Sequence, residues 1–186
     1  MRVFSIHKMY VKMMGPFQKV AWRRLWCNNL GHRLWCNNLG HPKWLFILLL
    51  DVHEKLYTKD RLMRWGIIKE QTCSLCTTTD ESLKHLFFEC QPSRHIWYKL
   101  LQWQVMNRQI LPWQDEVNWA NTHDKGKSAS LMIYKMPFFG CIYVIWRERN
   151  HRVFQAKRSE ADDLVMQVIQ EVFVRSRGNT ELASRL

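Results

Sequence analysis

Three cysteines and one histidine carry the clearest chemistry in this chain, in the order Cys73-x2-Cys76-x8-His85-x4-Cys90. A two-residue gap between cysteines makes a tight turn that aims both sulfurs at one point. A later His and Cys can close a tetrahedron of donors around a metal. The pattern predicts one structural zinc ion held by Cys73, Cys76, His85 and Cys90. With all four positions supplied by the protein the site is expected to be closed, whereas a catalytic zinc keeps one position open for water. The competing readings are a redox dithiol and buried free thiols. A redox C-x2-C usually opens a helix after a strand in a thioredoxin-like pattern, and nothing upstream of Cys73 looks like that strand.

The elements that must position these donors read as helical. Thr77, Thr78, Thr79 and Asp80 form a polar stretch with turn character, and Glu81 to Glu89 reads as a short helix carrying His85, with Cys90 at its end. Upstream, Lys43 to Leu56 is apolar almost all round, which predicts a buried helix. Thr58 is placed to cap a short helix with Asp60 in its first turn, running to Arg64 and stopped by Gly66. Pro92 sits where a first helical residue belongs, and Ile96, Trp97, Leu100 and Leu101 follow at helical spacing. Pro112 opens a further short helix carrying Val117 and Trp119. Ala129 to Phe154 is apolar and then basic, and Pro137 is expected to kink or break it. Ser159 with Asp162 makes a near capping box for a last amphipathic helix, whose stripe is Leu164, Val165, Val168, Ile169, Val172 and Phe173 and whose stop is Gly178.

Phe46–Leu50 and Cys141–Ile145 could be strands, but length and flanks favour helix. The expected fold class is therefore mainly α: a small helical domain organised around one CCHC zinc clip, with a C-terminal amphipathic helix. The expected organisation is an N-terminal helical segment over 1–41, a zinc-binding core over 42–122, a polar connector over 123–130 and a basic helical segment over 131–186. Within the first segment, Arg24–His32 is repeated without change as Arg33–His41. A nine-residue tandem copy is too short to be a solenoid unit. It reads as an in-frame duplication that lengthens a loop. The series Cys27, His32, Cys36 and His41 arises from that copying and contains no C-x2-C, so no second zinc site is expected there.

Composition narrows the class of partner. Among 186 residues, 28 are Lys or Arg and 16 Asp or Glu, giving a net charge of +12. The sequence pI is near 9.7. Such an excess favours polyanions, of which nucleic acid is the usual one. Hydrophobic residues make up 47%, enough for a packed core. The longest apolar run, Trp44 to Leu50, is far shorter than the ~20 residues that span a bilayer, so no membrane role is expected. Met1 to Gly15 is amphipathic without a cleavage site, and the cysteine pattern suits a reducing compartment, nucleus or cytoplasm, not secretion.

A longer series of residues is recognisable. Pro42-Lys43-Trp44, Lys55 to Leu62, and Trp65-Gly66 lead into the cysteine pair, followed by His85-Leu-Phe-Phe-Glu-Cys90, Ile96-Trp97, and Ile145-Trp-Arg-Glu-Arg-Asn150 with Arg152 and Phe154. This series resembles the zinc-binding domain at the C-terminus of reverse transcriptases from plant non-LTR retrotransposons, over about Phe4 to Phe154. The resemblance implies a non-catalytic module that binds RNA or single-stranded DNA, detached from its polymerase. The aromatic-x-Asp-Asp motif of a polymerase is missing; Glu160-Ala-Asp-Asp163 has Glu in the aromatic place and opens a helix. No Ser–His–Asp grouping, phosphate-cradling glycine loop or H-E-x-x-H is present, so no enzyme is expected.

Nucleic-acid contacts are expected from Lys69, Lys84, Arg94 and Lys99 around the clip, and from Arg147, Arg149 and Arg152 further on, with Lys157 and Arg158 beside them. Phe87, Phe88, Trp97 and Tyr98 could stack on bases, although core packing is the commoner fate of such rings. The alternative is a structural remnant or protein-interaction piece whose apolar helices once packed on the missing polymerase.

Overall fold

A computed structural model describes residues 41–122 and 129–176. The amphipathic start, the first copy of the duplicated nonapeptide and all but His41 of the second, the connector at 123–128 and Gly178 lie outside the described residues. Within them the chain is helical: α1 (Pro42–Val52), α2 (Lys59–Arg64), α3 (Gln91–Trp103), α4 (Trp113–Thr122), α5 (Ala129–Gln155) and α6 (Ala161–Ser176). No strand is formed among the described residues, only an isolated antiparallel bridge between Thr72 and Asp80. Both β-capable runs fall inside helices, Phe46–Leu50 in α1 and Cys141–Ile145 in α5.

Local chemistry accounts for most of the ends. Pro42 opens α1, and His41 caps it by accepting the Lys43 N–H on Nδ1 at 3.1 Å. α1 closes at Val52, four residues before the expected Leu56, and Leu56 is buried from the turn that follows. Thr58 sits at the N-cap of α2 but gives the backbone no side-chain bond; its hydroxyl is held by Asp60 instead. Gly66 closes that turn at φ +68°, a conformation glycine adopts without steric cost.

The long helix α5 is the spine. α1 packs along it, α3 crosses it, and α6 packs on both α3 and α5. Pro137 does not break α5, which runs on to Gln155. The lost backbone bond is outweighed there by burial, because Tyr134, Met136, Phe138, Phe139, Cys141 and Ile142 around it are all in the core. Gly140 lets its neighbours come close. A Cβ there would lie 2.8 Å from Val168 Cγ1 and 3.0 Å from the Trp44 ring. α1 and α6 thus meet α5 at the same residue.

An aromatic core fills the space between α3, α4 and α5. Phe88 packs against Trp97, Trp113 and Phe138 with ring centroids 5.6, 5.8 and 6.0 Å apart. Beside these rings Glu116 is fully buried and fully used. It pairs with Arg108 at 2.6 Å and accepts from Trp97 Nε1, Tyr134 Oη and the Leu111 N–H. The Arg108 guanidinium lies 4.4 Å over the Trp119 ring.

Candidate metal centre

Cys73 and Cys76 lie on the first arm of the clip. The Cys73 N–H donates to Thr79 O at 2.8 Å and the Thr77 N–H to Cys73 O at 2.9 Å, folding the chain back at Thr77, whose φ is +60°. The Thr72–Asp80 bridge closes the base of this loop. A Leu75 N–H points at Cys73 Sγ at 3.4 Å, a bond that favours thiolate over thiol.

The second arm departs from the expected helix over Glu81–Glu89. Ser82 caps a first turn by accepting the His85 N–H at 3.1 Å. The backbone then widens: the Cys90 N–H reaches His85 O at 2.7 Å, and Phe88 adopts φ +71°. The reason is geometric. Residues five apart on a regular α-helix point about 140° away from each other, at ~3.6 residues per turn. His85 and Cys90 could not both face one ion from such a helix. A π-type turn with one left-handed residue brings them to the same side. Phe88 bears that strain with its ring locked in the core.

The result is a compact donor set. Cys73 Sγ, Cys76 Sγ, the His85 ring nitrogen and Cys90 Sγ all lie within 4.8 Å of one another. Cys73 Sγ is 3.9 Å from Cys90 Sγ, and Cys76 Sγ is 3.3 Å from His85 Nε2. With zinc–sulfur bonds of ~2.3 Å and zinc–nitrogen bonds of ~2.0 Å, a tetrahedral ion spaces its donors by about 3.5–3.8 Å. The set therefore fits one tetrahedral ion.

Its acid–base chemistry fits too. The hydrogen bond with Cys90 holds the Cys73 thiol down to about 5, against burial and with help from the Cys76 and Leu75 N–H groups. The same bond, together with burial, pushes the Cys90 thiol up. Burial works against ionisation of Cys76, but hydrogen bonds from Thr78 and His85 bring that thiol to about 7. Three sulfurs this close cannot all be anions unless a cation sits among them. A divalent ion would take the place of the shared protons and let all three sulfurs ionise, with His85 as a neutral donor.

The clip is anchored to α5 by arginines. Glu81 is buried and receives Arg149 through Nη2 at 2.7 Å and Nε at 3.1 Å, with the Lys59 N–H at 2.8 Å. Arg152 donates Nη1 to Leu75 O at 2.9 Å, between the two C-x2-C sulfurs in sequence, and pairs with Glu148 at 2.7 Å. Lys59 Nζ reaches Thr72 O at 2.7 Å. One buried carboxylate thus joins α2, the clip and α5.

This corrects the expected nucleic-acid set. Arg149 is 2% exposed and committed to Glu81, so its guanidinium cannot meet phosphate. Arg152 is half-buried and bonded to Glu148 and the clip backbone. Lys99 and Arg147 are engaged with α6, Lys99 by an ion pair with Asp162 and Arg147 by a hydrogen bond to Gln167. Lys69, Lys84 and Arg94 are exposed and form no ion pair among the described residues. Of the rings, Phe87, Phe88 and Trp97 are buried, and Tyr98 alone of the four is exposed. Glu81 is the residue that sequence reasoning passed over. Its only signal was an acidic residue among clip positions, indistinguishable from a helix-start acid.

The architecture defines a class: a helical module built over a cluster of three cysteines and one histidine that could hold a metal ion. A family model described as zinc-binding in reverse transcriptase matches residues 4–97, just over half of the 186 residues, and the chain belongs to that family. The matched stretch holds all four candidate donors and ends within α3. No curated protein and no solved structure matches the chain.

Proposed function

We propose that the chain is a zinc-stabilised, non-catalytic module that binds RNA or single-stranded DNA, derived from a plant retroelement and acting in the nucleus or cytoplasm. Cys73, Cys76, His85 and Cys90 hold one structural zinc. The ion neutralises the thiolates and fixes the two arms, and its closed coordination leaves no position for a reacting water. The observation that carries the nucleic-acid reading is the set of exposed cations around the clip that form no ion pair among the described residues. Lys157 and Arg158 join Lys69, Lys84 and Arg94 in that set. Lys157 and Arg158 border a cleft of about 250 Å³ whose other wall is Ser74–Thr77 of the clip itself.

The test is zinc content of the purified protein together with binding of a labelled single strand across a salt series. One zinc per chain is expected. If three to five cations meet phosphate, log K should fall against log salt with a slope of about −2 to −3.5. Cys90→Ser should lose the zinc and unfold at least the clip, since structural zinc contributes on the order of 10 kcal/mol to such folds; unchanged zinc content would refute the ligand assignment.

A second reading, a protein-interaction piece, is favoured by Met63, Trp65 and Ile67, three exposed apolar side chains close together in sequence at the end of α2. No strand binding, with a salt-independent protein association lost on Trp65→Ser, would decide for it.

A further inference from the structure

We propose that the outer face of α3 and the loop after it form a nucleotide-unit site, in which one base of a single strand stacks on Tyr98 and its phosphate meets Arg94. This rests on the nucleic-acid reading above and gives it a place. α3 has two opposed faces. Ser93, Ile96, Trp97, Leu100 and Leu101 are buried, while Gln91, Arg94, His95 and Tyr98 fall at i, i+3, i+4 and i+7 on the other side. Tyr98 is 50% exposed, although an aromatic ring of this size normally finds a hydrophobic cover. Arg94 lies one turn before it and is exposed, with no ion pair among the described residues. Across from this face runs the loop carrying Arg108 and Gln109, and between them lies an open cleft of about 520 Å³. That is within the range of about 300–1,000 Å³ typical of small-ligand sites.

The chemistry of the lining is that of a nucleotide. A half-exposed phenol ring offers a face for any base, and stacking of this kind tolerates sequence. Arg94 offers a fork for a phosphate. Gln91 and Gln109 offer amide donors and acceptors for base edges, and His95 a ring nitrogen. Arg108 closes the cleft but contributes little charge, because Glu116 and Tyr134 already hold it. The site is also tied to the metal clip. Cys90 is the N-cap of α3 and its carbonyl accepts the Arg94 N–H at 2.8 Å, so the last zinc donor sets the first turn that carries Arg94.

The experiment measures binding of labelled RNA and DNA strands of one sequence, and of an abasic DNA strand of the same length, by the full chain and by Tyr98→Ala, Tyr98→Phe and Arg94→Ala. Zinc content and far-UV circular dichroism confirm that the variants fold, as expected for exposed positions. Tyr98→Ala should raise Kd about tenfold for the strands with bases and leave the abasic strand unchanged, and Tyr98→Phe should restore wild-type affinity. Arg94→Ala should weaken all strands and reduce the salt slope by about 0.7. If the wild-type protein binds the strands and Tyr98→Ala binds them equally well, this site is wrong and the nucleic-acid reading stands. If the wild-type protein binds no strand, both fall. A loss confined to the RNA or to the DNA strand would assign the site to that nucleic acid.

Discussion

Two buried acids show how differently one residue type can be used. Glu81 accepts from three donors, Arg149 Nε, Arg149 Nη2 and the Lys59 N–H, through four contacts of 2.7–3.2 Å. Removing the arginine alone would strand that charge in the core. Arg149→Met should therefore cost about 3–5 kcal/mol, read as a lower urea midpoint. Asp51 is the opposite case: it is fully buried and neither oxygen has a hydrogen-bond partner among the described residues. Burial, reinforced by the nearby Glu54 charge, pushes its carboxyl well above the usual value of 3.8. The unfolded chain ionises near 3.8 while the fold retains the proton, so this residue makes the fold less stable as pH rises above that value, until its own raised pKa is passed. Asp51→Asn should abolish this slope. The variant should gain on the wild type in thermal scans as pH is raised from 4 to 7, and a constant difference across that range would refute the assignment.

At the scale of elements, periodicity and caps made α3 and α6 legible, because one face of each is apolar and a proline or an acidic turn marks its start. That Cys73, Cys76, His85 and Cys90 gather at one point was legible from spacing alone. The turn between His85 and Cys90 was not, because HLFFE has the composition of a helix. Only the need to bring both side chains to one point makes the wide turn intelligible, and that need is tertiary. α5 is not broken at Pro137 for a related reason, since a local penalty is small beside the burial of a whole helix. Gly140 yields the sharpest test of this packing. In an exposed helix interior Gly→Ala gains about 1 kcal/mol. Here the new methyl would press on Val168 and Trp44, both buried. Gly140→Ala should instead destabilise the protein by about 1–3 kcal/mol, seen as a lower Tm with zinc content unchanged.

For the molecule as a whole, net charge pointed to a polyanion, but not to which cations are free to meet one. Arg149 and Arg152 look like surface charge in sequence, because nothing local announces the carboxylate 68 positions away that draws Arg149 inward. Arg152 has a local partner in Glu148, one turn back, but the Glu81 carboxylate that holds Arg149 and the Leu75 carbonyl that Arg152 also meets belong to distant segments, which no window of residues displays. The Glu81–Arg149 pair also has a consequence in time. Synthesis runs from the N-terminus, so Cys90 is made 59 residues before Arg149. At about 5–20 residues per second that interval is on the order of 3–12 s. All four donors are thus in place while α5 is still unmade. A chain stopped after Thr122 should bind zinc yet melt well below the full protein; failure to take up zinc would show that α5 is needed first. If that shortened chain takes up zinc, metal capture precedes the arginine, and Arg149 closes as a latch on a site that is already loaded.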